Sequence, residues 1–332
     1  MAELPRIGLM LTGGTIDSVG KDRLDLAWYM EAGKRLGSGE LLAQLPELKS
    51  IAQVKEMPFR RLPSQALVAK DWLDLVDRIE SIFAEDQADG IVITHGTNTL
   101  EETAFFLNLT LGCEQPVVLV GAQRPASALG TDAGTNLVNA LQVAGSPDAR
   151  GLGVLVVLNN EIHPARDVVK TSTYRVQTFR SFDFGALGHI DGDGPHFYRA
   201  PLQAHMPDTP FAGREIADLP RVDIVYSYAG AAGDLVRAAV AAGARGLVSA
   251  GFAPGSPSPD QREAFIQAAK SGVVVVQCSR AASGRVAPRR HLREVGFVAG
   301  EDFSPQKARI LLMLMLTTTS DIGEIQQAFQ TY

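Results

Sequence analysis

The chain has 332 residues, of which 45% are hydrophobic and 20% are charged, and its 31 Lys and Arg against 37 Asp and Glu give a net charge of −6. This composition excludes intrinsic disorder, which needs few apolar residues and a high net charge. A mildly acidic chain is also a poor non-specific binder of nucleic acid. The length exceeds what one hydrophobic core usually serves, so we expect two domains.

Short apolar, β-branched runs alternate with helical patterns along the chain. The predicted strands, in chain order, are residues 7–11, 90–94, 116–120, 154–158, 223–227, 246–249 and 273–277. Apolar residues at helical spacing predict a helix within 66–83. The run TLEE at 99–102 predicts a capping box at the start of the next helix. Continuous apolar strands that alternate with helices indicate parallel sheets covered on both faces.

The alternation fails between residues 182 and 221, where Gly, Asp, Pro and His are frequent. We therefore predict a large N-terminal parallel-sheet domain of the flavodoxin-like or Rossmann-like kind at 1–190, a linker at 191–221, and a smaller C-terminal α/β domain at 222–332. No apolar stretch approaches the ~20 residues of a membrane span. No signal-peptide pattern surrounds the first apolar run. We expect a cytoplasmic protein that contacts neither membrane nor nucleic acid.

Two of the predicted strands end in loops rich in Gly and Thr. TGGTI at 12–16 follows the first strand, and HGTNT at 95–99 follows the second. Ligands of open parallel sheets bind at the carboxyl ends of the strands, and glycines let the backbone approach a ligand closely. Either loop alone is explained by caps and turns. Two such loops on one sheet edge predict a site.

Other standard signals are missing from the sequence. It has no dinucleotide or phosphate-binding glycine motif, no G-x-S-x-G elbow, and no metal-ligand spacing among its six histidines. We therefore expect no metal and no cofactor. His95 fits a structural histidine, and Cys113 and Cys278 fit buried small hydrophobes. A nucleophilic hydroxyl needs a base, for which Lys170 is the candidate, although its residue type alone equally fits a surface lysine.

Taken together, the motifs resemble the bacterial-type L-asparaginases (asparaginase/glutaminase family), amidohydrolases that release ammonia from asparagine and sometimes glutamine. The matching segments, in family order, are TGGTI at 12–16, SQ at 64–65, HGTNTLEET at 95–103, GAQRP at 121–125, RDVVKT at 166–171 and SPQKAR at 304–309. They extend over nearly the whole chain. No single motif would suffice, but their combination is specific.

The resemblance implies a role for each matching residue. The implied catalytic residues are Thr15 as nucleophile, Tyr29 as the mobile-loop residue that assists it, Thr97, and Lys170 as proton acceptor. The implied substrate-binding residues are Gly14, Ser64, Gln65, Gly96 and Asn98, with Ser64 and Gln65 on the substrate α-carboxylate. The resemblance further implies hydrolysis of a side-chain amide through an acyl-enzyme. It also implies a homotetramer, a dimer of dimers, in which a neighbouring subunit completes each site.

The sequence departs from the family pattern where a substrate ammonium would bind. Asn98 replaces the family Asp, and arginines at 289 and 290 stand in a stretch where a neighbour's acidic residue is often found. Loss of a unit charge near 4 Å is worth ~4 kcal/mol at an effective dielectric of 20. One alternative is therefore a same-fold amidase for an amide that lacks a free α-ammonium. Another is a catalytically silent amide-binding homologue.

Overall fold

The computed structural model describes residues 3–332 and divides the chain into two compact units. The N-terminal unit ends at Arg214, and the C-terminal unit spans Glu215–Tyr332. Each unit contains a sheet of its own, which is mixed with a parallel part in the N-terminal unit and parallel throughout in the C-terminal unit. This division confirms the expected α/β class with a large N-terminal and a smaller C-terminal sheet domain.

The N-terminal unit contains an eight-stranded sheet with helices packed against it. The strands of this sheet are β1 (Arg6–Leu11), β2 (Gln53–Glu56), β3 (Gly90–Thr94), β4 (Val117–Val120), β5 (Val154–Leu158), β6 (Glu161–Pro164), β9 (Gly188–Asp191) and β10 (Gly194–Phe197). Two further strands, β7 (Val169–Lys170) and β8 (Phe179–Arg180), form a separate antiparallel pair. Its helices are α1 (Tyr29–Ala32), α2 (Ser38–Ala43), α3 (Ala69–Ala84), α4 (Leu100–Thr110) and α5 (Ala133–Ala144).

The strand order of this sheet is β10-β9-β6-β5-β4-β3-β1-β2, and the pairs from β2 to β5 are parallel. Every residue of β3, β4 and β5 is buried. This accounts for their unbroken Val, Ile and Leu content, since a strand covered on both faces has no polar side to alternate with. Strand β1 lies beside β3 with Leu11 opposite Thr94, so the chain leaves both strands at the same edge.

The antiparallel part of the sheet falls partly inside the predicted linker. Strands β9 and β10 form a hairpin around Gly192 and Asp193, and β9 pairs with β6. Farther on, Met206 donates its amide to Asn108 on α4. The turn residues of a short hairpin resemble linker composition, which is why the sequence pattern alone does not reveal β10. The two units divide at Arg214, near the end of the range 191–221.

The C-terminal unit contains a four-stranded sheet in the order β11-β12-β13-β14, parallel throughout. Its elements are β11 (Val222–Tyr226), α6 (Asp234–Ala241), β12 (Gly246–Gly251), α7 (Pro259–Lys270), β13 (Val274–Ser279), α8 (Arg290–Glu294), β14 (Phe297–Ala299), α9 (Pro305–Met315) and α10 (Ile322–Thr331). Across both units, the seven predicted strands are confirmed and differ from the observed ones by at most two residues at either end.

Candidate active site

The loops that follow β1 and β3 are in direct contact at the carboxyl edge of the sheet. Thr12 donates both its amide (3.1 Å) and its hydroxyl (2.7 Å) to the carbonyl of Thr94. Gly14 has φ +115°, and a Cβ at this position would lie 2.7 Å from both Cα and N of Gly96. Only glycine meets both conditions, because a side chain would be strained and would collide with backbone. The two glycine-containing loops therefore form one continuous surface.

Thr15 and Tyr29 form the first pair of the site. Thr15 is the first residue of a short 3-10 turn, Thr15–Asp17. Its hydroxyl oxygen Oγ1 lies 2.9 Å from the Tyr29 phenolic oxygen. Tyr29 is the first residue of α1. It lies within residues 20–33, a loop that leaves the chain after this turn and returns beside it, which we call the excursion. Either oxygen of the pair can donate the hydrogen bond, so a proton can be shared between the two.

Thr97 and Lys170 form the second pair. The Lys170 amine donates to Thr97 Oγ1 at 2.7 Å and to the Asn98 side-chain oxygen at 3.4 Å. Lys170 belongs to β7, and its backbone amide donates to the buried carboxylate of Glu101 at 2.5 Å. Burial lowers the pKa of the Lys170 amine, and the Glu101 charge opposes that shift. Lys170 is thus held on a hydroxyl in an environment that favours its neutral, proton-accepting form.

Ser64 and Gln65 lie next to this second pair. Ser64 is buried, and a Cβ on Gly96 would lie 2.5 Å from its hydroxyl oxygen. Gln65 is exposed, and its side-chain oxygen accepts a 3.4 Å hydrogen bond from the Asn98 amide. The Asn98 side chain therefore bridges Lys170 and Gln65. An aspartate could accept from the lysine but could not donate to the glutamine oxygen.

The predicted capping box at the start of α4 is wrong. The helix does begin directly after Thr99, but the Thr99 side chain makes no capping hydrogen bond. The Thr99 hydroxyl donates instead to the Ser64 carbonyl at 2.9 Å. The capping pattern in the sequence is satisfied by residue type alone, whereas the observed bond depends on a segment 35 residues away. This bond fixes Ser64 beside the second loop.

His95 has a structural role, as expected. It is buried, and its Nδ1 lies 2.8 Å from the Gly96 carbonyl oxygen, so this nitrogen carries the proton. Nε2 therefore accepts from the Thr103 hydroxyl at 3.0 Å, and Thr103 in turn accepts from the Trp72 indole at 2.9 Å. Burial lowers the pKa of His95 to about 4. The ring is neutral and anchors the second loop to α3 and α4.

Two groups of charged residues at the site were not singled out by sequence reasoning. Glu101 fits a solvated or capping carboxylate by pattern, yet it is buried and binds the Lys170 backbone. Asp17, two residues after Thr15, is fully buried near Arg35 and Arg61. The sequence does contain a sign of this role for Asp17. It directly follows a glycine-rich turn and the apolar residue Ile16, and an acidic residue in such a buried segment is unusual.

Within residues 3–332, no group of three or more His, Cys, Asp or Glu side chains is arranged so that it could hold a metal ion. Over the same residues, no helix has the length and apolar content needed to cross a bilayer. What the site offers is two hydroxyls, each hydrogen-bonded to a group that can move a proton, beside backbone amides at a sheet edge. This set suits attack on a carbonyl carbon.

Two family models match the chain. The asparaginase N-terminal model covers residues 6–203, and the glutaminase/asparaginase C-terminal domain model covers residues 221–329. The chain belongs to the asparaginase family. The resemblance carried by the motifs is thereby confirmed, and an asparaginase-type amidohydrolase accounts for the pairing of hydroxyls at the sheet edge.

Individual asparaginases are similar to this chain over nearly their whole length. L-asparaginase 2 of Bacillus subtilis (strain 168) is 42% identical over 99% of this chain and 87% of that protein. The probable periplasmic L-asparaginase of Haemophilus influenzae is 42% identical over 100% of this chain and 94% of that protein. The crystal structure of a probable cytoplasmic L-asparaginase from Campylobacter jejuni has a TM-score of 0.94 and 39% identity, covering 99% of this chain and 100% of that one.

Proposed function

We propose that this protein hydrolyses the side-chain amide of L-asparagine to L-aspartate and ammonia. Family membership over both units supports the reaction class. The observation that carries the proposal is the pair of hydroxyl contacts, Thr15 with the Tyr29 phenol and Thr97 with the Lys170 amine. A protein that only bound an amide would have no need of a half-buried lysine amine on a hydroxyl, so we do not favour the silent homologue.

Thr15 is the proposed nucleophile. Its Oγ1 bonds to the amide carbon while its proton passes toward the Tyr29 oxygen 2.9 Å away. As the phenol takes this proton it gives its own hydroxyl proton to the amide nitrogen, so the C–N bond breaks, ammonia leaves and Tyr29 is again a neutral phenol. In the second half-reaction, water loses a proton through Thr97 to neutral Lys170 and attacks the ester. The C–O bond of the ester then breaks and Lys170 returns the proton through Thr97 to the Thr15 oxygen. The carboxylic acid gives its remaining proton to ammonia, so one amide and one water give one carboxylate and one ammonium.

The two glycine-containing loops supply the electrostatic part of the proposed mechanism. Their backbone amides lie at the sheet edge beside Thr15 and Thr97, where no side chain on Gly14 or Gly96 obstructs them. A developing oxyanion that accepts from such a donor is stabilised by roughly 3–4 kcal/mol per hydrogen bond in other acyl-transfer enzymes. We assign these amides, rather than a charged side chain, to the oxyanion.

The substrate backbone groups would be held by the residues between the two pairs. The proposed partners of the α-carboxylate are the Ser64 hydroxyl and the Gln65 amide, while Asn98 would face the α-ammonium with its side-chain oxygen. Asn98 is neutral, so this contact is a hydrogen bond between an ion and a dipole rather than an ion pair. Such a contact is weaker, which makes the affinity for L-asparagine sensitive to this position.

Ammonia release tests the proposal directly. Wild type, Thr15→Ala and the surface control Thr331→Ala are assayed with L-asparagine, L-glutamine and succinamate, which lacks the α-ammonium. We expect activity on L-asparagine in wild type and control, and a loss on the order of 10³-fold or more in Thr15→Ala. Acid-quenched mass spectrometry should find an aspartyl ester on the Thr15 peptide. Release from succinamate alone would contradict the substrate, and an ester on Thr97 would contradict the nucleophile.

We also propose a homotetrameric assembly and a cytoplasmic location. Side chains of Ile224, Tyr226 and Tyr228 are exposed on and just after the edge strand β11, and such a patch fits an assembly surface between copies of the chain. Cys113 and Cys278 are free and buried, which is compatible with a reducing compartment. Light scattering coupled to gel filtration tests the first proposal, and cell fractionation tests the second.

A further inference from the structure

The excursion that carries Tyr29 is closed at its base by a small set of contacts, which we call the neck. The Val19 amide donates to the Lys34 carbonyl at 2.9 Å, and the Leu36 amide donates to the Asp17 carbonyl at 2.8 Å. Ser18 and Arg35 form an isolated antiparallel bridge between these bonds. The neck begins two residues after Thr15, so it lies next to Thr15 in the sequence. It also closes the loop that carries Tyr29, and so it restrains the position of Tyr29.

A buried carboxylate lies at the centre of the neck. The Asp17 side chain is 0% exposed, and neither of its oxygens has a hydrogen-bond partner within residues 3–332. Arg35 Nη1 lies 3.7 Å from Oδ1, and Arg61 Nη1 lies 3.7 Å from Oδ2. An ion removed from water without hydrogen bonds is costly, and two cations at this distance offset only part of the cost. A well-packed apolar residue would be cheaper for the fold alone.

The two arginines connect the neck to the other parts of the site. Arg35 passes beneath Gly13, where a Cβ would overlap its guanidinium. Arg61 donates to the Leu36 carbonyl at 2.8 Å and stands three residues before Ser64. The next residue, Leu62, donates its amide to the Thr12 carbonyl at 3.0 Å. Through Arg35 and Arg61, the buried Asp17 carboxylate is therefore connected to the loop that carries Thr15, to the base of the Tyr29 excursion and to the segment that leads to Ser64.

We propose that Asp17, Arg35 and Arg61 form an ionic latch that positions Tyr29 against Thr15. These are positioning residues, which act through the Thr15–Tyr29 pair, so their effect on turnover rests on the proposed function. Proteins retain energetically unfavourable buried groups mainly at functional sites. Because this cluster is connected to three parts of the site, we infer that it is kept for function and not for stability. The latch acts through charge, because the 3.7 Å separations leave no hydrogen bond from either arginine to Asp17.

The test compares variants that remove charge with one that keeps it. Asp17→Asn and Arg35→Gln remove one charge of the latch, Arg35→Lys keeps it, and Glu114→Gln, from the exposed pair with Arg150, is the matched control. Because small displacements of reacting groups slow chemistry steeply, we expect kcat on L-asparagine to fall on the order of 10- to 100-fold in both charge-removing variants. KM should change less. Arg35→Lys and Glu114→Gln should stay close to wild type.

A second readout does not depend on activity. Trp28, beside Tyr29, is 69% exposed, whereas the other tryptophan, Trp72, is 5% exposed, and Trp28→Phe isolates the Trp72 signal. Time-resolved anisotropy should show a larger fast component of Trp28 in Asp17→Asn and Arg35→Gln, because nanosecond motion reports a released loop.

Several outcomes would overturn the latch. Unchanged kcat and anisotropy in the charge-removing variants would do so, as would an Arg35→Lys variant as impaired as Arg35→Gln. If Asp17→Asn does not fold, the comparison of Arg35→Gln with Arg35→Lys decides by itself. The Arg35 side chain is 31% exposed, so both of these variants should fold. If wild type releases no ammonia from any amide, the proposed function fails, and the anisotropy comparison still tests the latch.

Discussion

At the scale of single residues, the protonation of Lys170 governs the proposed chemistry. Burial lowers the pKa of its amine, Glu101 opposes the shift, and neutral Asn98 contributes no charge. A base acts in its neutral form, so activity rises as the pH passes upward through this pKa. A lower pKa therefore extends the active range toward acid.

Asn98→Asp should move the pH profile of kcat/KM. A carboxylate near the Lys170 amine, where the Asn98 oxygen now lies at 3.4 Å, raises the pKa of that amine. The acidic limb of the profile should therefore shift to higher pH, while KM for L-asparagine falls because a carboxylate pairs with the substrate ammonium. Gln115→Glu, just before β4 at the opposite edge of the sheet, is the control. An unshifted acidic limb would contradict Lys170 as the base.

His95 predicts a pH dependence of stability. Its pKa is about 4 in the fold against 6.5 as the ordinary value, because burial penalises the charged ring. Below pH 6.5 the unfolded chain binds a proton that the folded chain does not. The free energy of unfolding should therefore decrease as the pH falls from 6.5 toward 4, by roughly 3 kcal/mol from this residue. Urea unfolding at several pH values measures it.

The comparison variants for this measurement are His95→Gln and, as control, exposed His291→Gln. Because His196 and several carboxylates also change stability with pH, the difference between wild type and variant isolates His95. This difference should fall by roughly 3 kcal/mol from pH 6.5 to 4 for His95→Gln, whereas His291→Gln should follow wild type. A difference between wild type and His95→Gln that does not change with pH would show that the His95 ring is not shielded from water.

At the scale of elements, the contact between the two glycine-containing loops depends on Gly14. Gly14→Ala would strain φ +115° and press a methyl group to within 2.7 Å of Gly96 Cα. We expect a loss of roughly 1–3 kcal/mol in the free energy of unfolding, together with lower kcat. Gly151→Ala is the matched control, since φ is +72° there and nothing lies within 4 Å of the new Cβ. Equal losses of stability in both variants would show that backbone strain alone accounts for the effect, and that the collision with Gly96 does not contribute.

The sequence predicts elements well where one local pattern decides them. Buried parallel strands such as β3 and β5 are unbroken apolar runs bounded by turn residues, so their ends are visible without a structure. Helix α3 begins later than the predicted 66–83, because Ser64–Ala66 form a 3-10 turn and Asp71 accepts from the Val68 amide to open the helix. Short antiparallel strands such as β10 escape notice, since two to four residues carry no readable period.

Contacts between distant segments are the part of the site that residue patterns do not supply. The motifs nominate Thr15, Thr97 and Lys170, but the bond from Thr99 to the Ser64 carbonyl and the burial of Asp17 arise only when the chain folds. Hydrogen-bonding residues such as Thr have several local partners to choose from. Tertiary context decides among them, and the capping-box prediction failed for this reason.

At the scale of the whole molecule, each unit carries one cysteine that can report on it. Cys113 lies in the N-terminal unit and Cys278 on β13 in the C-terminal unit, and both are free and buried. Burial raises the pKa of Cys113 to about 12 and also raises that of Cys278. Since the thiolate is the reactive form, native protein should resist thiol reagents.

Thiol labelling across a denaturant series should therefore follow the opening of each unit separately. We expect negligible labelling of native protein and labelling of both cysteines after unfolding, with peptide mass spectrometry assigning each site. A Cys278→Ala variant, in which only Cys113 remains, is the control for that assignment. Rapid labelling of native protein at either cysteine would mean that the unit containing it opens without global unfolding.

The excursion that carries Tyr29 also contains exposed Lys21 and Arg23, on the stretch of chain between Thr15 and Tyr29. Trypsin cleavage there would separate Thr15, the proposed nucleophile, and its partner Tyr29 onto two peptides. Strand β1 lies between β2 and β3, so the short peptide would stay in place as a structural part of the sheet. The protein would then be a two-fragment enzyme. Its residual turnover would measure how far non-covalent fastening at the base of the excursion replaces a continuous backbone.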